Sequence, residues 1–278
     1  MVSTLRAVLF DLDDTLIDWS GWGGNYYARN REHIEAVLAS LPANGRQPPF
    51  LDLNQQQLET LLHELPHDGW QEPDLDAVEQ DYIRRTEQAW AVGRSNLRAP
   101  HLGDILVETL SAAGVPDSLL QREALLRAVP WGMYPGVVCF PDALPALQLL
   151  REHGIHLGLV TNAHQPMMLR DRELEACGLL DFMPDCRLSA ADVGWLKPHP
   201  RIFRTALELL DVEPQEAVFV GDNPVADIAG AQNARMRAVL RSGRQDTAML
   251  AGLIEPDSRI QSLDELPILL DDWFPGWR

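Results

Sequence analysis

Apolar and polar positions divide the chain into two regimes. Ala7 to Phe10 is an unbroken apolar run that stops at the acids of AVLFDLDDTL, as a strand buried on both faces does in a parallel sheet. From about residue 18 to residue 131 no stretch has strand character. Helical spacing instead marks residues 25–41, 55–64, 75–95, 102–113 and 118–128, with the turn-rich pieces LPANGRQPPF and LPHDGWQEPD between them. After Tyr134-Pro135-Gly136 strands and helices alternate: helix 141–153, strand 156–160, helix 165–177, a short strand near 185–188, helix 200–211, strand 217–220, helix 225–233 and strand 237–241. Right-handed crossovers make such strands parallel. The pattern predicts an α/β chain with a Rossmann-like parallel sheet core, residues 1–18 and 133–278, interrupted by an all-helical insert, residues 19–132.

In a parallel sheet the carboxyl ends of the strands face the ligand crevice, so Asp11 and Asp13 project where a substrate reaches them. Two carboxylates there invite a hard cation such as Mg2+, which takes oxygen ligands and accepts one or two acids beside a phosphate. An aspartate is also a nucleophile able to form an acyl-phosphate, while a second acid protonates the leaving group and activates water. A lone D-x-D, however, also occurs in ordinary surface turns. Three further pieces sit at the ends of later units. HLGLV, residues 156–160, runs into Thr161-Asn162, a hydroxyl and an amide suited to phosphate oxygens. Lys197 precedes a helix with Pro198 and Pro200 at its start. Strand 217–220 ends in GDNPVADIAGA, which carries Asp222 and Asp227.

These four polar insertions, in this order, resemble the haloacid dehalogenase-like hydrolase superfamily from Leu5 to about Leu240. The resemblance implies a phosphatase of the phosphoglycolate phosphatase-like branch. In it Asp11 is the nucleophile and Asp13 the general acid/base; Thr161, Asn162 and Lys197 grip the phosphate. Asp11, Asp13 and Asp222 gather Mg2+, with Asp227 supporting the metal. It also identifies the helical insert as a cap that closes over the site and reads the leaving group. At roughly 115 residues this cap is long for its type, which weakens transfer of substrate identity from relatives with shorter caps.

Composition singles out Lys197. The chain has 23 basic residues, and Lys197 is the one lysine among them. A compact ammonium fits between two carboxylates and a phosphoryl oxygen where a planar guanidinium is too large. The net charge of -18 disfavours nucleic acid and anionic membrane as partners. A small phosphorylated metabolite must then be drawn in by the local site. Cys139, Cys177 and Cys186 form no C-x-x-C pair and fit reduced thiols. The apolar stretch near the N-terminus is too short for a signal or a membrane span, so a cytoplasmic monomer or homodimer is expected.

Other positions stay open between two readings. Trp19 and Trp22, beside Gly23-Gly24, suit either an aromatic wall over the leaving group or plain packing. Arg94, Asn96 and Arg98 suit either a second anionic group or solvated charge after a helix end. His199 reads as a surface histidine at a helix N-terminus. Arg235 stands where relatives often have glycine, which puts the local turn in doubt. No motif covers the tail beyond Leu253, whose Trp273, Phe274 and Trp277 dock on the core or on another subunit.

Among rival activities, a β-phosphoglucomutase-like phosphotransferase shares every core motif. A haloacid dehalogenase needs neither Asp13 nor Asp222, and a phosphonatase using a cap lysine is excluded because the insert has none. A non-catalytic binding protein on this fold would more naturally have lost one of the two first acids.

Overall fold

The computed structural model describes residues 4–23, 29–41, 71–242 and 253–278. It divides into two compact units: Met1–Gly23 with Asn96–Ala99 and Met133–Arg278, and Gly24–Ser95 with Pro100–Gly132. Relative to the expected boundaries, Trp19–Gly23 and the short stretch Asn96–Ala99 fall within the first unit.

The first unit is built on a six-stranded parallel sheet. Its strands are β1 (Ala7–Phe10), β4 (His156–Thr161), β5 (Cys186–Ser189), β6 (Ala217–Gly221), β7 (Arg237–Arg241) and β8 (Ser258–Ile260), in the order β5-β4-β1-β6-β7-β8. A separate two-stranded antiparallel ribbon joins β2 (Ile17–Asp18) to β3 (Val138–Cys139). All four residues of β1 are fully buried, as a central strand of a parallel sheet covered on both faces requires. Gly158 of β4 lies so close to the Leu9 side chain and to Cys186 that any Cβ there would displace one of them.

The order places β1, β4 and β6 side by side at the centre. Asp11, Thr161 and Asp222 therefore leave adjacent strands at the same sheet edge, where a doubly wound sheet has its crevice.

Where the structure departs from the sequence reading, local physics explains it. The ribbon β2–β3 is two residues per strand, too short for any periodic signal. Residues 224–233 are not one α-helix: Pro224–Ala229 winds as a π-helix before one α-turn, Gly230–Asn233, with Ile228 N–H donating five residues back to Asn223 O. Such π-turns are frequent at functional sites, and this one carries Asp227. The region read as helix 118–128 breaks at Leu120 into a 3-10 turn, Asp117–Leu119, and the helix Arg122–Ala128. Arg235 adopts a left-handed φ of 66° and makes the glycine-type turn despite its side chain.

The tail adds β8 and the helix Leu266–Trp273, and it docks on its own core. Phe274 and Trp277 are buried, and Trp277 packs edge-on against His153 with ring centroids 5.6 Å apart. A buried bidentate pair anchors it. Arg241 holds Asp142 at 2.9–3.1 Å, and Asp142 Oδ2 accepts hydrogen bonds from Ser262 Oγ and Leu263 N at 2.8 and 2.9 Å.

The second unit is helical where it is described. Helix α1 (Asn30–Ser40) buries His33, Ile34, Val37 and Leu38 at helical spacing; α2 (Leu75–Asn96) buries Val78, Tyr82 and Thr86; α3 (Leu102–Ala112) buries Leu102, Ile105, Leu106 and Leu110. The helix expected at 55–64 and the start of the one expected at 25–41 lie outside the described residues. Among the described residues no helix is long and apolar enough to cross a membrane.

Candidate active site

Asp11 follows directly on β1. Its N–H bonds to Val220 O of β6 at 2.9 Å, which fixes the carboxylate at the sheet edge, and the residue is buried. Lys197 Nζ donates to Asp11 Oδ1 at 2.6 Å and lies 2.7 Å from Asp227 Oδ1, so the one lysine of the chain bridges two buried carboxylates. Burial pulls down the pKa of Lys197, but Asp11 and Asp227 more than reverse this and hold it above the ordinary lysine value.

The main chain of Lys197 is clamped as well. Its N–H donates to Asn162 Oδ1 at 2.7 Å, and Asn162 Nδ2 donates to its carbonyl at 2.9 Å. The Asn162 side chain, expected at the phosphate, here braces the lysine loop. On the far side of that loop His199 caps the helix Pro200–Leu210, accepting from Arg201 N at 3.2 Å. The buried face of this helix, Ile202, Phe203, Ala206, Leu207 and Leu210, seats it on the sheet.

Asp222 ends β6. The carboxylates of Asp11, Asp222 and Asp227 each bring an oxygen within 4.8 Å of one another. Asp227 Oδ2 accepts from Asn223 N at 2.9 Å and lies against Gly221, where any Cβ would collide with it. Burial drives Asp11 well above the usual carboxylate range; Lys197 partly offsets this, and Asp227, Asp222 and Asp13 add to it. Asp222 is pushed up to about 7 by burial and then by Asp227 and Asp14. Three crowded carboxylates with one ammonium leave excess negative charge in a desolvated place. An all-oxygen donor set with that excess fits a hard divalent cation. The expected set of Asp11, Asp13 and Asp222 differs from this cluster. Asp227 is inside it, and the Asp13 carboxylate is engaged elsewhere.

Asp13 Oδ1 accepts from Trp19 Nε1 at 2.8 Å and from an Arg170 guanidinium nitrogen at 2.6 Å, and Thr161 Oγ1 lies 3.4 Å from Oδ2. Trp19 packs with Trp22 and Tyr134 at centroid distances of 5.5–5.6 Å. Its indole therefore both packs and binds the second acid. Arg170 was not singled out by sequence. It lies in mid-helix in Met167–Ala176, 157 residues from its partner, and no local pattern links the two.

Of the basic residues after α2, Arg98 lies over the Trp195 ring at 3.7 Å, and Trp195 stacks on His199 at 3.8 Å. The Asn96 side chain accepts from Arg98 N at 2.9 Å, and Arg94 is exposed in the last turn of α2. Burial and then Arg204, Arg98 and Arg201 lower the pKa of His199.

A family model described as haloacid dehalogenase-like hydrolase matches residues 5–235. The chain is 39% identical over 107 residues to a glyceraldehyde 3-phosphate phosphatase of Methanopyrus kandleri, covering 38% of this chain and 44% of that protein. It is 41% identical over 100 residues to a phosphoserine phosphatase of Thermus thermophilus, covering 36% and 39%. To the pyrophosphatase PpaX of Bacillus anthracis it is 32% identical over 126 residues, covering 45% and 56%. The matches thus span roughly half of these relatives or less. Among solved structures, a 2-haloacid dehalogenase from Pseudomonas syringae pv. Tomato DC3000 superposes with TM-score 0.54 at 26% identity, covering 97% of this chain and 100% of that one. A phosphatase of the same fold from Thermococcus onnurineus gives 0.55 at 25% identity, covering 96% and 98%. With its family model matched over residues 5–235, the chain belongs to the haloacid dehalogenase-like hydrolase family.

Proposed function

We propose that this protein is a Mg2+-dependent phosphomonoesterase that acts on a small phosphorylated metabolite through phosphoryl transfer to Asp11. The observation that carries the reading is the pairing of a lysine-held aspartate, Asp11, with a second acid, Asp13, beside the further carboxylates Asp222 and Asp227. A dehalogenase attacking carbon expels halide, which leaves without a proton and without a cation, so it needs neither Asp13 as an acid nor Asp222 as a metal ligand. The phosphatase names of the relatives from Methanopyrus and Thermus agree with this choice.

In this reading Lys197 holds Asp11 by Oδ1, so attack on phosphorus falls to Oδ2. Asp13 donates a proton to the departing alkoxide and then takes one from the water that hydrolyses the aspartyl-phosphate. Thr161 and Lys197 grip the phosphoryl oxygens, and Asn162 keeps the lysine loop in place. Asp11 and Asp222 are the residues that would hold the ion, with Asp227 anchoring Lys197 and the Gly221–Asn223 turn. A bound Mg2+ would offset the charge that develops on the transferring group. The helical insert is read as the part that selects the leaving group.

A panel of phosphorylated metabolites, incubated with purified protein and Mg2+ and read as phosphate release, tests the proposal. At least one ester class should be turned over well above the others. Because the Pseudomonas neighbour is a dehalogenase, 2-haloacids are run in parallel with a halide electrode. Halide release without phosphate release would overturn the reading.

A further inference from the structure

Arg170 and Glu173 form an ion pair at 3.0 Å whose side chains are only 4% and 1% exposed. The same guanidinium reaches Asp13 Oδ1 at 2.6 Å. Burying two charges costs several kcal/mol in desolvation, and apolar side chains of similar volume commonly serve the fold as well. Stability alone therefore gives little reason for this pair in the helix Met167–Ala176. Its outward end supplies a reason, because it meets the second acid of the site.

Resting on the phosphatase reading, we propose that Arg170, itself held by Glu173, is the positioning residue for Asp13. Arg170 and the Trp19 indole both donate to Asp13 Oδ1. That oxygen is occupied from two sides, so the transferable proton belongs on Oδ2, the oxygen that Thr161 Oγ1 approaches at 3.4 Å. One guanidinium nitrogen meets Asp13 while Nε lies 3.0 Å from Glu173 on the same helix, so the head that reaches the acid is itself fixed by a buried opposite charge. When the Asp11–phosphorus bond forms and the bond from phosphorus to the leaving oxygen breaks, the Oδ2 proton passes to that oxygen and Asp13 is left as a carboxylate. Glu173 keeps Arg170 from swinging out of the helix face, since it lies one turn on along the same helix.

A merely structural pair would affect all substrates alike. A positioning role for the acid depends on how much the leaving group needs a proton. The test measures kcat/KM on phenyl phosphate and on 4-nitrophenyl phosphate for the wild type, the double variant Arg170→Met/Glu173→Met, and Arg170→Lys. The double variant removes both charges of the buried pair together, and a thermal melt beside the kinetics checks that the fold is kept. Phenyl phosphate, whose leaving group is poor, should lose about 10^2 in the double variant, while 4-nitrophenyl phosphate should lose less than about tenfold. Arg170→Lys, which keeps the charge, should fall between the double variant and the wild type on phenyl phosphate. Equal losses on both esters, or no loss on either, would overturn the inference and leave the phosphatase reading standing. A wild type inactive on both aryl esters and on every ester of the metabolite panel would overturn the reading and the inference together.

Discussion

The side chain of Lys197 is 2% exposed and its ammonium is within 2.7 Å of two carboxylates, so there is no room for a larger head. Lys197→Arg conserves charge and would be harmless at a surface position. Here the guanidinium should displace Asp11 by a fraction of an ångström to an ångström, and kcat should fall about 10^2 or more with little change in melting temperature. Steady-state kinetics beside a thermal melt separate these outcomes; normal kinetics would make the single lysine an accident of composition. Asp13→Asn makes a different prediction. The amide keeps the shape that Trp19 and Arg170 hold but cannot carry the proton, so kcat should fall by about 10^2 to 10^4 while substrate still binds. Equilibrium binding of inorganic phosphate, measured calorimetrically, should stay near the wild-type value, and a loss of binding would count against a purely acid/base role.

Besides the long helices and β7, the elements most legible in the sequence are those whose apolar runs end in chemistry: β1 before Asp11, β4 before Thr161, β6 before Asp222. Their periodicity and their polar stops lie within a few residues of each other, so a local reading suffices. What escaped is made by distance or by brevity. The Arg170–Asp13 contact joins residues 157 apart. The β2–β3 ribbon is two residues per strand. The π-turn at Pro224–Ala229 has the composition of a helix and differs only in how Ile228 bonds. The tail's attachment was likewise hidden, because Arg241 and Asp142 meet across 99 residues. That pair ties the end of β7 and the Thr15 carbonyl, which accepts from Arg241 at 3.1 Å, to Ser262 and Leu263 of the tail. Asp142→Ala leaves the Arg241 charge buried without its partner and should cost about 3–5 kcal/mol, read as a lower urea midpoint at unchanged slope. A shift under about 1 kcal/mol would mean that the pair does not hold the tail.

At the scale of the whole molecule, a net charge of -18 gives a phosphate ester no general attraction, so the local site must supply it. Stability should respond to pH through His33 of α1, whose pKa burial and Arg29 lower to about 4 and whose Nε2 has no hydrogen-bond partner among the described residues. The unfolded chain binds a proton near pH 6.5 and the folded one does not until about 4. The stability held above pH 6.5 is therefore lost progressively as pH falls toward 4, by about 2 kcal/mol at pH 5. Because the raised pKa values of Asp222 and Asp11 shift stability the opposite way over the same range, the His33 share is read against His33→Phe, which packs against Trp131 without titrating: between urea titrations at pH 7 and pH 5 the wild type should lose about 2 kcal/mol relative to that variant. An equal pH dependence in the variant would place the effect elsewhere. The central claim is that phosphorus is attacked by Asp11. Rapid quenching during turnover of an aryl phosphate, borohydride reduction of any acyl-phosphate and peptide mass spectrometry test it most directly. The account predicts homoserine at position 11 and at no other aspartate; continued turnover with no reduction at Asp11, or with the label on another side chain, would contradict it.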